Sequence, residues 1–407
     1  MSDVTLAPAA TARYSAKREA IVAAATEILN RRGVRGMTLA DVAERVGLIT
    51  TSVTYYFKRK DELAAACFLA GIERLGALVR EARAEPTPAA RVRRLLELYL
   101  QLRARIVAGE AAPIPVFSDI RALAPEVMGR AAGAYTVLFR RTRALFGGPG
   151  GEALSRGAAT ARTQILLEQI HWAEAWLTRY DADDYPRVGE RMFDILQGGF
   201  ALPGARWRPA PLSIGGEAPP LVGRDAFLKA ATRLINQRGY RGASVELISA
   251  QLNVTKGSFY HHHNAKDDVV SACFERSFGA VRRAQSAAGA LAGDAWLKLA
   301  SAAAALVEFQ FSPAGPLLRT TALPALPEGL RDAMIAQSDG LSDRFAAMIR
   351  DGVAEGSLRP VDPFIAAQML NATLNAAADL PFLLRGVEAP VAAQLYARPF
   401  FTGLTGR

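Results

Sequence analysis

A chain of 407 residues exceeds the roughly 250–300 at which a single hydrophobic core stops growing, so two or more domains are expected. Half of its residues are hydrophobic, enough for sizeable cores, yet no apolar run approaches the roughly 18 residues that cross a membrane. The net charge of +10 is compatible with nucleic acid or an anionic surface, and two cysteines exclude a disulfide framework and fit a reducing compartment.

The wealth of Ala, Leu, Arg and Glu over alternating Val, Ile and Thr points to an all-α protein. Met1 to Ala16 has no charged segment leading into a hydrophobic one, so residues 1–16 read as a short flexible tail and the protein as cytoplasmic, at the nucleoid if it binds DNA. From Lys17, inward positions Ile21, Ala24, Ala25, Ile28 and Leu29 predict a helix that stops at Gly33, where a residue without Cβ can turn the chain. Thr38 suits an N-cap, and Asp41 three residues later completes a capping-box pattern. Leu39, Val42, Ala43 and Val46 then follow the i, i+3, i+4, i+7 rule, and Gly47 allows a tight turn. A second short helix follows with Val53, Tyr56 and Phe57 inward, leaving Thr50, Thr51, Thr54 and Tyr55 outside. Two helices joined in this way form a helix-turn-helix, whose second member can enter the major groove of DNA.

The same stretch returns later in the chain. Adding 206 to a residue number carries Gly33 onto Gly239, Gly36 onto Gly242, Thr38 onto Ser244, Ser52 onto Ser258, Lys60 onto Lys266 and Cys67 onto Cys273. Sixteen of the 52 positions from Lys17 to Phe68 are identical without a gap, well beyond shared composition. Both copies are basic: ten Lys/Arg against four Asp/Glu from Arg13 to Lys60, and seven against two from Arg224 to Lys266. Copy two has Leu247 where copy one has Asp41, and so loses the capping acid. Landmarks repeat beyond these heads. Ala124-Pro125-Glu126 answers Leu326-Pro327-Glu328, and Gly198 answers Gly403. Helical stretches Gly157–Arg179 and Pro186–Gln197 answer Pro363–Leu384 and Pro390–Phe401. The implied domains are a first head at 17–68, a helical regulatory domain at 69–202, a Pro/Gly-rich linker at 203–222, a second head at 223–274 and a second regulatory domain at 275–407.

In these residues the chain resembles the TetR-type (tetracycline-repressor-like) regulators. Copy one meets that family's pattern with Ala25, Leu29, Gly33, Gly36, Thr38, Val42, Ala43, Gly47, Leu48, Tyr56, Phe57, Lys60 and Leu63. Copy two meets it with Ala231, Ile235, Gly239, Gly242, Ser244, Ile248, Val254, Lys256, Gly257, Phe259, Tyr260 and Lys266. The resemblance implies a three-helix DNA-binding head followed by a helical ligand and dimerisation domain, with small molecules acting through the spacing of two heads. Family members pair through their last two long helices. Here both protomers lie in one chain, which implies an intramolecular pseudo-dimer, monomeric as a chain with further dimerisation left open, whose two heads need not be alike.

The expected DNA contacts follow. In copy one, Thr50, Thr51, Ser52 and Thr54 are short hydroxyl donors and Tyr55 and Tyr56 have longer reach. In copy two, Lys256, Gly257, Ser258, Tyr260, His261 and His262 take those places. By resemblance Thr38 and Lys60, and their counterparts Ser244 and Lys266, contact the DNA backbone. His261-His262-His263 does not read as a metal site, because successive helical residues point about 100° apart. His263 stands at the inward position of Phe57, so the second head can be looser than the first. Trp172, Trp176 and Tyr180 recur every four residues beside Glu168 and His171, a face that serves either as interface core or as ligand wall. With Phe117, Arg121, Phe309 and Phe311, Trp172 and Trp176 are the candidates to line an effector pocket. No phosphate loop, nucleophile elbow or metal-ligand spacing points to an enzyme, and no cofactor or catalytic residue is implied. The reading is a ligand-responsive repressor on an operator with two unequal half-sites. The alternative is a ligand-binding or scaffolding protein in which one or both heads no longer bind DNA.

Overall fold

The computed structural model describes residues 8–148, 153–215, 224–251 and 266–405. The chain forms two compact units, Met1–Gly76 with Arg105–Leu138, and Ala77–Ala104 with Phe139–Arg407. Among the described residues all regular structure is helical.

The first unit holds head one. Its first helix, α1 (Pro8–Gly36), begins within the residues expected to form a flexible tail. Two local causes account for the difference. A proline is pre-set for the first turn of a helix, and Ala-rich sequence propagates it. Gly33 breaks the helix with φ +64°. It is followed by α2 (Leu39–Arg45) and α3 (Thr50–Tyr56), and α4 (Lys60–Ala82) starts within the unit. The core is built from Ile21, Ala25, Leu29, Met37, Val42, Val53, Phe57, Leu63 and Phe68, nearly all the inward positions of the pattern. Cys67 is buried in it, where its thiol lies near the Val22 carbonyl oxygen at 3.6 Å and burial pushes its pKa up to about 12. The side chain of Asn30 fixes α1 to the segment before the 3-10 turn Phe117–Ala122. It donates to the Ile114 carbonyl at 2.8 Å and accepts from the Val116 N–H at 3.0 Å.

Half one continues with α5 (Pro88–Val107), α6 (Pro125–Arg143), α7 (Arg156–Leu177) and α8 (Tyr185–Gly198), of which Ala77–Ala104 and everything from Phe139 onward belong to the second unit.

The second unit repeats the described helices of the head, with residues 252–265 outside the description. Helix α9 (Arg224–Gly242) breaks at Gly239 with φ +72°, and is followed by α10 (Val245–Gln251) and α11 (Lys266–Gly289). Asn236 repeats the clamp, donating to the Leu317 carbonyl at 2.8 Å and accepting from the Arg319 N–H at 3.0 Å. Cys273 lies as deep as its counterpart, its thiol pushed up to about 11 by burial. Beyond α11 stand α12 (Ala295–Phe311), a 3-10 turn (Thr320–Ala325), α13 (Glu328–Glu355), α14 (Pro363–Ala376), α15 (Leu380–Leu383) and α16 (Ala389–Thr402). The stretch expected as one helix from Pro363 to Leu384 is therefore interrupted. Pro381 has no N–H, and its ring would meet the carbonyl four residues back, so the chain passes through a 3-10 turn at Ala377–Asp379 and restarts.

Helices α7 and α8 pack on α14 and α16, the four-helix seam of an intramolecular pseudo-dimer. The seam is reciprocal at its ends. The Phe200 N–H donates to the Phe401 carbonyl at 2.8 Å, and the Leu404 N–H donates to the Leu196 carbonyl at 2.7 Å. The Pro/Gly-rich segment between the copies is non-helical where it is described, as its composition requires, and it is held down on half two. Trp207 packs its ring 5.1 Å from that of Phe401, the Trp296 Nε1–H donates to the Arg206 carbonyl at 3.0 Å, and the Ala210 N–H donates to Ser301 Oγ at 2.8 Å.

Candidate nucleic-acid interface

Head one is assembled by local chemistry. Thr38 caps α2: its Oγ1 accepts from the Asp41 N–H at 3.1 Å, and the Asp41 carboxylate accepts from the Thr38 N–H at 3.2 Å. The Thr38 hydroxyl, with Arg32 3.3 Å away on the other side, holds the Asp41 carboxyl below its usual range. At the far end Gly47 takes φ +66°, which lets the Leu48 N–H reach back to the Ala43 carbonyl at 2.8 Å and the Gly47 N–H to Glu44 at 3.1 Å. That double closure sets the turn between α2 and α3.

On α3, Val53 is fully buried, and this turns Thr50, Thr51 and Tyr55 outward; Tyr55 is 68% exposed. Ser52, Thr54 and Tyr56 are half-buried. The Thr54 hydroxyl donates back to the Thr51 carbonyl at 2.9 Å, which leaves its oxygen as an acceptor. Lys60, expected at the DNA backbone, places its ammonium 3.1 Å from the Arg35 carbonyl, where it ties the start of α4 to the end of α1. Arg45 pairs with Glu27 at 2.6 Å and Arg59 with Asp61 at 3.7 Å, while Arg13, Lys17, Arg31, Arg35 and Lys58 are exposed.

Head two retains half of the cap. The Leu247 N–H donates to Ser244 Oγ at 3.3 Å, and with leucine in the place of Asp41 there is no carboxylate to return the bond. Lys256, Gly257, Ser258, Tyr260, His261 and His262 lie outside the described residues, as does the side chain of Lys266.

The pocket candidates fall in both units. Phe117, in the 3-10 turn of the first unit, packs 5.7 Å from the Tyr135 ring, and Arg121 in the same turn is exposed. In the second unit Phe309 is buried and Phe311 half-buried at the end of α12. Trp172 and Trp176 lie in the seam. The Trp172 Nε1–H donates to Gln368 Oε1 at 3.3 Å, and Trp176 is buried with its ring 6.2 Å from Phe364; both partners are on α14, so these contacts are those of an interface. Beside them Gln169 donates to Thr373 Oγ1 at 2.9 Å and to the Met369 carbonyl at 3.2 Å.

Sequence spacing did not reveal one buried ion pair between the halves. Arg319, whose backbone N–H is held by Asn236, sends its guanidinium into half one, where the same nitrogen meets both carboxylate oxygens of Glu168 at 2.9 and 3.0 Å. Asp379 stands 3.5 Å away as a second carboxylate. Burial alone would lower the pKa of Arg319, but these two acids hold it above the usual arginine value. His171, three residues after Glu168 on α7, has a buried Nε2. Burial, and then the positive charge of Arg319, pull its pKa from 6.5 down to about 4. The folded state therefore refuses a proton that the unfolded chain accepts. The stability contributed by neutral His171 is fully present above pH 6.5 and is lost as the pH falls towards 4. We expect about 1–2 kcal/mol of this loss between pH 7.5 and 5, and His171→Asn should remove that part of the slope in denaturant titrations at the two pH values. An unchanged slope in the variant would show that His171 titrates normally in the fold.

Among the described residues no helix is long and apolar enough to cross a membrane, and no group of three or more His, Cys, Asp or Glu is placed to hold a metal. The sequence model of bacterial regulatory proteins of the tetR family matches residues 21–67 and again 227–273. Among curated proteins, the Transposon Tn10 TetC protein of Escherichia coli is 37% identical over 52 residues, 13% of this chain and 26% of that protein. An HTH-type transcriptional regulator of Saccharopolyspora erythraea is 35% identical over 81 residues, 20% of this chain and 33% of that protein. The chain thus spans about a quarter to a third of the length of these relatives. Among solved structures, the TetR family transcriptional regulator PfmR from Thermus thermophilus is 22% identical, covering 44% of this chain and 99% of its own, with a TM-score of 0.38. The two matches to the family model fall on the two places where the fold repeats, and the chain carries two DNA-binding domains of the tetR family, one at the head of each of two fused TetR-like units.

Proposed function

We propose that this protein is a sequence-specific transcriptional regulator, a ligand-responsive repressor that binds an operator with two unequal half-sites through the two heads of one chain. The observation that carries the reading is the pair of DNA-binding domains 206 residues apart, in one polypeptide whose two halves share a buried seam. In head one, Thr50, Thr51 and Tyr55 form the outer face of α3 and supply hydroxyl donors and an aromatic ring for base edges and phosphates. In head two the corresponding residues differ: Lys256 and Gly257 replace Thr50 and Thr51, and His261 replaces Tyr55. Different residues at the corresponding positions imply different half-sites, about one helical turn or a multiple apart. The helical domains beyond the heads would bind a small-molecule effector and change the spacing of the heads.

Selection of bound sequences from a random DNA pool, followed by binding titrations on the recovered operator, tests this. Tyr55→Ala and Lys256→Ala should each alter base preference in a different half-site by about tenfold, the worth of one good base contact. Equal, independent losses support two working heads; indifference to Lys256→Ala would leave one head active and favour the scaffold alternative for the other. Recovery of no preferred sequence would overturn the reading.

A further inference from the structure

The match to the family model begins at residue 21, but α1 begins at Pro8, so more than three turns of helix precede the shared segment. This extension is not an idle overhang. Tyr14 lies with its ring 4.8 Å from that of Tyr56 at an interplanar angle of 32°, and 6.2 Å from that of Tyr55 at 77°. Tyr55 and Tyr56 meet edge to face at 5.2 Å, so the three rings form one cluster. One turn further along α1, the Arg18 guanidinium sits 5.0 Å above the Phe57 ring, at the end of α3. Tyr14 and Arg18 share one helical face with Ile21, and through Tyr14 and Arg18 α1 grips the last turn of α3 and the residue that follows it.

The cluster joins the extension to the outward face of the proposed reading helix. Tyr55 is 68% exposed and would swing through several rotamers if it stood alone, whereas rings on two sides narrow its choice before any DNA arrives. Arg13 and Lys17, i and i+4 on the same extension, are exposed cations on adjacent turns. The trio is not repeated: the counterparts of Tyr14, Tyr55 and Tyr56 at the 206-residue offset are Pro220, His261 and His262.

We propose that the N-terminal extension of α1 is a specificity-determining part of head one: Tyr14 positions Tyr55 and Tyr56 for base reading, and Arg13 and Lys17 meet the flanking phosphates. This rests on the DNA-binding reading above. Tyr14 is a positioning residue and touches the bases only through its neighbours. Because it is 39% exposed, its loss leaves the core of the head intact.

The test compares full-length wild type, Tyr14→Ala, Tyr14→Phe and the double variant Arg13→Ala/Lys17→Ala on the operator selected by wild type and on its single-base variants, at several salt concentrations. Tyr14→Ala should bind the operator about 2- to 10-fold more weakly, the worth of an aromatic pair, and lose discrimination at the positions that Tyr55→Ala also affects. Its salt slope should be that of wild type. Tyr14→Phe, which keeps the ring, should behave as wild type. The double variant should weaken all sequences alike and reduce the salt slope by about 1.8, two phosphate contacts' worth. Discrimination is a ratio taken on one preparation, so partial unfolding of a variant does not mimic its loss. If Tyr14→Ala discriminates as wild type does, the positioning role is overturned, and an unchanged slope in the double variant overturns the phosphate contacts. Absence of any preferred sequence for wild type would instead overturn the DNA-binding reading on which the proposal stands.

Discussion

Replacing Arg319 by Leu is expected to lower folding stability by about 3–5 kcal/mol, the penalty of leaving a buried charge without its partner. The carboxylate that would be stranded belongs to Glu168, whose side chain is 4% exposed and which receives two hydrogen bonds from one guanidinium nitrogen. Glu168→Leu should be comparably harmful, because Arg319 would keep only Asp379, and at 3.5 Å. The double replacement Arg319→Leu/Glu168→Leu should recover most of the loss, since a well-packed apolar pair does about as well as a buried ion pair. Midpoints of urea unfolding for the two single variants and the double variant form a cycle that isolates the coupling. Additive losses would show that the pair contributes nothing as a pair. The arrangement is one-sided: Arg319 is fixed at its backbone by head two's Asn236 and at its side chain by half one, so the pair also links a head to the seam.

Gly199→Ala and Gly403→Ala are each expected to cost about 3–5 kcal/mol, from two sources that add. The first is backbone strain, since Gly199 takes φ +62° and ψ −147° and Gly403 takes φ +101°, conformations that an L side chain rarely adopts. The second is collision. A Cβ on Gly199 would stand 2.1 Å from the Phe401 carbonyl oxygen, and one on Gly403 would stand 2.1 Å from that of Gln197. In both cases the obstacle is backbone belonging to the opposite half, so it cannot rotate away as a side chain would. Gly199, and not its neighbour Gly198 that the sequence landmarks paired with Gly403, is therefore the mate of Gly403 across the pseudo-twofold seam, and equal losses are the expected signature. Thermal melting checks this, with Gly204→Ala as the comparison: Gly204 also has positive φ, at +84°, but nothing lies within 4 Å of its Cβ position. A loss at Gly199 no larger than at Gly204 would mean that the crossing relaxes.

The heads were legible because their determinants are local. Gly33 and Gly239 stop a helix through their own φ, Thr38 and Asp41 satisfy each other three residues apart, and the inward spacing of Val42 and Val53 is a property of the helix itself. The duplication was legible because identity at a constant offset needs no structure, and the seam helices α7, α8, α14 and α16 lie within a few residues of their expected bounds, apart from the early end of α14. Other features were misjudged or missed for a common reason. Residues 8–16 carry no amphipathic pattern of their own, yet Tyr14 finds two rings on α3. Pro381 breaks a stretch whose apolar content alone promised continuity.

What the sequence by itself determined is thus the class of fold, the two heads and their order along the chain. Only the tertiary structure decided which residues meet across the seam: Glu168 with Arg319, 151 residues apart, Trp172 with Gln368, and the two glycines with each other's half. Helix periodicity tells which face of a helix is buried, but not what it is buried against. That choice is made by shape and charge complementarity between distant segments, and neither has a fixed spacing along the chain to read.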